Sequence, residues 1–128
     1  IVMEAYSDDE RALAEQEVEV LRTLDHPGIV RYYEHFVADD SLCVVMAYCE
    51  GGDLHRRVQQ TKKEGRVLAE KQVVAWLLQL TLALQYIHAK KILHRDLKSS
   101  NVFLTSKSRV CKVGDFGIGI FYPLQRRI

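Results

Sequence analysis

The side chains best suited to chemistry lie in one stretch, His94-Arg95-Asp96-Leu97-Lys98-Ser99-Ser100-Asn101, followed fourteen residues after Asn101 by Asp115-Phe116-Gly117. Seven of the first eight are polar, which suits an exposed loop carried on a rigid scaffold rather than a buried segment. Asp96 is a carboxylate able to accept a proton from a hydroxyl. Lys98, two residues on, can neutralise phosphate charge. Asn101 and Asp115 offer the oxygen donors that hard cations such as magnesium take. A base, a metal clamp and a positive charge are the parts that phosphoryl transfer uses. The competing reading, a polar turn and an unrelated acid beside a glycine, has to produce both segments by accident.

Such residues need elements to hold them. Ser7-Asp8-Asp9-Glu10 has the form of a capping box, and Leu13, Glu17, Leu21 and Leu24 recur at helical spacing with Val18 and Val20 beside them. A helix is therefore expected from about Asp8 to Leu24, stopped by Asp25-His26-Pro27-Gly28. Glu17 lies on the apolar stripe, and taken alone it reads as a partly exposed acid on a broad helix face. Ile29 to Val37 and Leu42 to Tyr48 are rich in Val, Ile and aromatic residues. With Ala38-Asp39-Asp40-Ser41 between them they predict a hairpin with a four-residue turn. The second strand is almost wholly apolar, which predicts burial on both faces. It runs into Cys49-Glu50-Gly51-Gly52-Asp53-Leu54, a break with two glycines. Residues Thr61 to Arg66 read as a charged loop. From Glu70 to about Lys90 the spacing of Val73, Trp76, Leu77, Leu80, Leu84 and Ile87 predicts a long helix with that stripe in the core. After the polar loop come two short strands, Val102 to Leu104 and Val110 to Val113, joined by a turn at Thr105 to Ser108. The fold class is α+β.

With 128 residues the chain is at most one domain, long enough to bury about 68% of its unfolded surface if self-contained. A net charge of +1 and 27% charged residues give no bias towards nucleic acid or membrane. No apolar run approaches the ~20 residues that span a bilayer, and Ile1 does not open a signal-peptide pattern. Cys43, Cys49 and Cys111 form neither an even disulfide set nor a zinc spacing, so a reducing cytoplasmic compartment is expected. The five histidines are scattered and suggest no metal cluster.

The two polar segments resemble the catalytic-loop and magnesium-loop signatures of protein kinases in order and residue type. Tyr48-Cys49-Glu50-Gly51-Gly52-Asp53-Leu54, Ile92 to Ser99, Val102-Phe103-Leu104-Thr105 and Lys112 to Ile118 look most like the never-in-mitosis-related kinases, and Lys98 is the serine/threonine-type residue. The resemblance covers Ile1 to about Ile118. It implies an incomplete two-lobe fold: residues 1–46 as part of the small lobe, 47–53 as the hinge and 54–128 as part of the large lobe. It further implies transfer of the ATP γ-phosphate to Ser or Thr hydroxyls of a protein substrate, with ATP and Mg2+ as cofactors. Asp96 would orient and deprotonate that hydroxyl, Lys98 would stabilise the transferring phosphoryl, and Asn101 and Asp115 would hold magnesium. Glu17 would pair with an ATP-holding lysine. Met46 would be the gatekeeper, Ala47 and Cys49 would offer backbone contacts to adenine, Phe103 would pack beneath the base, and Asp53 would belong to the same cofactor-binding set. The family usually has an acid at position 47, but only backbone is used there. Leu21, Tyr32, His94 and Phe116 match a regulatory hydrophobic spine, and plain core packing accounts for them equally well. Arg95 would meet a phosphorylated activation loop. The resemblance adds an association with the cytoskeleton or cilium.

Aligned on Glu17, the family's lysine falls about two positions before Ile1, with the glycine-rich loop further upstream. No activation-loop phosphosite or Ala-Pro-Glu segment is recognised after Gly117. These 128 residues by themselves are therefore expected not to turn over ATP. The rival reading is a catalytically inactive kinase-like module that docks a regulatory protein partner.

Overall fold

The computed structural model describes residues 2–4, 8–38, 41–105, 107 and 109–114, with the side chains of residues 2–4, 8–11 and 13 left aside. Ser7 of the capping box, the Asp39-Asp40 turn, and Asp115-Phe116-Gly117 with all that follows lie outside the described residues. A short strand β1 (Val2–Glu4) leads to helix α1 (Asp8–Arg22). The hairpin is β2 (Tyr32–Ala38) and β3 (Ser41–Met46). Two helices follow, α2 (Leu54–Lys63) and α3 (Glu70–Ala89), then a 3-10 turn at Ser99–Asn101 and strands β4 (Val102–Leu104) and β5 (Cys111–Val113). The first sheet has the order β1-β3-β2, antiparallel throughout, and β4 pairs with β5 in a second.

The hairpin is tighter than its sequence suggests. Ala38 pairs with Ser41, so two residues rather than four separate the strands. The first strand also starts later, at Tyr32. Ile29 instead forms a parallel bridge with Val113, and Val30 N–H donates to Val113 O at 2.9 Å, so this stretch belongs to the other sheet. Nor is β3 buried on both faces. Leu42 and Val44 point into a cluster with Ala14 and Val18 of α1, while Cys43, Val45 and Met46 stay half-buried. One helix covers one face, and period-two alternation decides which residues it reaches.

Helix α3 corrects the expected stripe. Trp76, Ala83 and Ile87 are buried, whereas Val73 is 43% and Leu77 61% exposed. Apolar residues surround nearly the whole helix, so periodicity alone does not choose its inward face. The main core joins Ala83 and Ile87 to Val20, Leu24, Ile29, Ile92 and Val113. Leu21 packs against both this core and the one beneath β3. The helix ends without glycine: Lys91 adopts a positive φ of 64°, Lys91 N–H bonds His88 O, and Ile92 N–H bonds Ile87 O at 3.0 Å. That pairing is a Schellman closure, with buried Ile92 as its apolar anchor.

The segment between α1 and β2 is pinned to α3 by Tyr86. Its hydroxyl accepts from Asp25 N–H at 2.9 Å, and its ring stacks on His26 with centroids 5.0 Å apart. Lys90 Nζ lies 5.3 Å from the same ring. Tyr86→Phe should cost about 1 kcal/mol, the net worth of one such bond, and lower Tm by a few degrees. An unchanged Tm would mean that the rings alone hold the segment.

Candidate active site

The polar loop after α3 is shaped by a buried histidine and a left-handed arginine. His94 is 3% exposed, and its Nε2 lies 3.1 Å from Gly114 O. A carbonyl only accepts, so the proton sits on Nε2, which leaves Nδ1 to accept from Asp96 N–H at 3.3 Å. Both partners thus favour the same orientation of the ring. Arg95 has φ 64°, a left-handed turn costing a side-chain-bearing residue about 1–3 kcal/mol. This turn lets the chain bury His94 and still present the half-exposed side chain of Asp96.

Three of the expected residues converge. Lys98 Nζ lies 2.8 Å from Asp96 Oδ2, and Asn101 Nδ2 donates to the same oxygen at 3.0 Å and to Asp96 O at 2.8 Å. The Lys98 ammonium, bonded to the carboxylate, holds Asp96 below the usual carboxylate range, and Asn101 adds to the effect. Asn101 is itself buried, and its carbonyl accepts from Gly114 N–H at 3.0 Å. With Nδ2 committed to Asp96, its Oδ1 is the donor left for a cation. Asp115, the second expected metal ligand, lies outside the described residues, next to Gly114.

Beside this loop a cleft of about 480 Å³ opens between the two sheets. All five residues expected to touch the nucleotide line it: Met46, Ala47, Cys49, Asp53 and Phe103. Sequence reasoning missed Val30, Arg56 and Gly114, which join the same wall. They come from three separate stretches, and only the Ile29–Val113 bridge brings two of them together. Arg56 had one local signal, its place three residues after an acid at a helix start. Its N–H donates to Asp53 Oδ1 at 2.8 Å, and its Nε lies 3.3 Å from Oδ2, so Asp53 both caps α2 and holds an arginine at the mouth. Partial burial pushes the Cys49 thiol up, against the pull of Lys112, so this side chain faces the cleft as a neutral group.

The cleft fits an adenine edge. Ala47 N–H is used by Arg31 O at 2.8 Å, whereas among the described residues Ala47 O accepts from no donor and Cys49 N–H has no acceptor. One free acceptor and one free donor, two residues apart, match the amino group and ring nitrogen of the base. Half-buried Phe103 and buried Val30 supply apolar walls. Glu17 does not line this cleft. It is 8% exposed, on the side of α1 that carries Ala14 and Val18, which corrects the partly exposed acid that its position alone suggested. Of the spine positions, Leu21 and Tyr32 pack beneath β3, His94 is buried, and Phe116 lies outside the described residues.

A hairpin sheet with a covering helix, a cleft beside the connecting segment, and a polar loop tied to the second sheet make up the arrangement of a protein kinase domain. The chain belongs to the protein kinase family: the model of the protein kinase domain matches residues 1–126, past the Ile118 at which the motif resemblance ends. It is 52% identical over 113 residues to serine/threonine-protein kinase Nek4 of Mus musculus, covering 88% of this chain and 14% of that protein. Against serine/threonine-protein kinase Nek11 of Homo sapiens it is 44% identical over 110 residues, 86% of this chain and 17% of the relative. Serine/threonine-protein kinase Nek1 of Mus musculus is 49% identical over 112 residues, 88% and 9% respectively. The never-in-mitosis-related resemblance is thus shown, and the chain spans less than a fifth of the length of these relatives.

Proposed function

We propose that this chain forms the nucleotide cleft and catalytic loop of a protein serine/threonine kinase, acting on Ser or Thr hydroxyls of a protein substrate. The observation that carries the reading is the convergence of Lys98 Nζ and Asn101 Nδ2 on one oxygen of Asp96, beside a cleft lined by all five expected nucleotide residues. Bound ATP would supply the γ-phosphoryl, with Mg2+ neutralising its charge as it moves. Asp96 accepts the proton of the attacking hydroxyl and orients it. Lys98, now paired with Asp96, has its ammonium within reach of the same site and turns it towards the phosphoryl oxygens. Asn101 serves twice, positioning Asp96 through Nδ2 and offering Oδ1 to the cation. Ala47 O and Cys49 N–H hold the base, Met46 stands at the back of the cleft, and Phe103 packs on the base. In this reading residues 1–46 belong to the small lobe, 47–53 to the hinge and 54–128 to the large lobe, with Glu17 as partner of the ATP-holding lysine.

Asp115→Asn in the complete kinase tests the metal assignment. It should remove most magnesium-dependent nucleotide binding, because one hard oxygen ligand becomes a weaker neutral one. Unchanged magnesium-ATP affinity by calorimetry would overturn it.

A further inference from the structure

A second concavity lies between the end of α2, the segment leading into α3 and the β4–β5 connection. Its volume is about 240 Å³, below the roughly 300–1,000 Å³ of small-molecule pockets, so it takes one or two side chains rather than a whole ligand. Val67, Leu68 and Trp76 give it an apolar wall, and Arg57, Arg66 and Lys107 line it with cations. Val67 is 94% exposed, a large apolar side chain left in water at the rim.

The charge around it is one-sided. Residues 54–66 and 105–109 hold seven lysines and arginines against one acid, Glu64, in a chain whose net charge is only +1. Glu64 is already engaged: it accepts from Gln60 Nε2 at 2.6 Å and from Arg66 at 3.1 Å, and the Gln60 bond first, then Arg66, holds its carboxyl below the ordinary range. Among the described residues, neither Arg57 nor Lys107 has an acid at ion-pair distance. The positive turn is built rather than frayed. Gly65 at φ 64° lets its N–H reach Lys62 O at 3.1 Å and Arg66 N–H reach Thr61 O at 3.0 Å, closing α2 firmly under the groove.

We propose that this groove docks an acidic segment of another protein, seating one apolar side chain against Val67, Leu68 and Trp76 while flanking Asp or Glu residues meet Arg57 and Lys107. Charge complementarity selects an anionic partner. The concave apolar wall selects a peptide among anionic partners, because a flat lipid surface or a phosphate backbone leaves it unfilled. The docking does not depend on the nucleotide cleft.

The test uses a fluorescent short peptide with a central Leu-Phe pair flanked by Glu on both sides, titrated into the protein and followed by anisotropy. The Glu-to-Gln analogue and the Leu-Phe-to-Gly-Ser analogue should each bind roughly tenfold more weakly or worse. Arg57→Glu with Lys107→Glu should slow association by about tenfold or more and flatten its salt dependence, as steering charges do. Val67→Asp, at a site too exposed to disturb folding, should weaken the Glu peptide as well. Arg22→Glu, an exposed charge on α1 paired with Glu19, should leave binding unchanged. The proposal fails if the Glu peptide does not bind, if it binds no better than its Gln analogue, or if the charge reversals leave it intact. It fails equally if phosphatidylserine vesicles or single-stranded DNA compete the peptide off at lower concentration than unlabelled peptide does.

Discussion

Asp96→Asn in the complete kinase should lower turnover by roughly 10²–10⁴-fold, the range for a positioned acid–base group, with nucleotide affinity unchanged. The substitution alters the bonds to Lys98 and Asn101 made through the carboxylate, but the backbone contacts of Asp96 do not run through it. Asp96 N–H stays on His94 O at 2.9 Å, and Asp96 O still accepts from Asn101 Nδ2. The cleft walls come from other elements, so the nucleotide meets the same surface. What the amide loses is the ability to accept a proton, together with the negative charge that Lys98 now faces.

The pH dependence follows from the direction of the Asp96 shift. Its carboxyl is held low, first by Lys98 and then by Asn101, so it stays ionised until the pH falls below the usual carboxylate value of about 3.9. The folded value lies below the unfolded one. The pairing therefore supports the fold above that unfolded value and is lost only as pH falls through the lower folded value. Between about pH 5 and 8 no acid limb in the rate should arise from Asp96. If nucleotide affinity falls in step with turnover in Asp96→Asn, the residue is a structural acid and the assignment of a base is wrong.

The polar loop was legible because its residue types are ones a core seldom uses, so Asp96, Lys98 and Asn101 could be singled out without knowing any contact. Helices α1 and α3 were legible from their Leu and Val spacing and from the Pro27-Gly28 stop. Helix α2 was not. It buries no residue, and its apolar side chains are too few to make a stripe, so no periodicity marks it and its end reads as a charged loop. The readable signals were its ends: Asp53 as an N-cap, Lys62 and Lys63 in the last turn, and Gly65 just beyond. Strand β1, three residues long, carries too little pattern to find, and only its pairing with β3 defines it. The inward face of α3 was misread for the opposite reason, an excess of apolar residues. Small Ala83 is buried there because Gly28 packs against it, and neither residue advertises that contact in the sequence. The cleft was half-legible, since the run from Met46 to Asp53 is continuous but Val30 and Gly114 reach it only through strand pairing.

The paired glycines show how much the sequence withheld. Gly51-Gly52 reads as one flexible break, yet the two positions answer different demands. Gly52 has φ +68° and open space around the place a Cβ would take. Gly51 has no such φ, but a Cβ there would lie 2.4 Å from Thr105 O, 2.8 Å from Leu104 O and 2.9 Å from Leu104 Cβ. The two nearest are backbone oxygens of a pairing in which Gly51 N–H donates to Leu104 O at 2.9 Å and Leu104 N–H donates to Gly52 O at 2.8 Å. Leu104 is fully buried in the cluster around Trp76, so β4 cannot back away. Gly51→Ala must therefore break the pairing or distort β4, at about 1–3 kcal/mol for overpacking and about 1 kcal/mol for each hydrogen bond lost. The sum, about 3–5 kcal/mol, is a large part of the 5–15 kcal/mol that holds an ordinary domain together. Gly52→Ala should cost only the strain of one left-handed residue, about 1–2 kcal/mol. Urea denaturation of the two variants measures the difference, and the midpoint of Gly51→Ala should fall well below that of Gly52→Ala. The same pairing sets Cys49 and Asp53 against Phe103 across the cleft, through the Asp53–Phe103 bridge. Whatever fraction of Gly51→Ala remains folded should accordingly bind ATP more weakly. Equal stability of the two variants would show that β4 yields to the added methyl, and that the segment around Gly51 is not locked to the second sheet at this point.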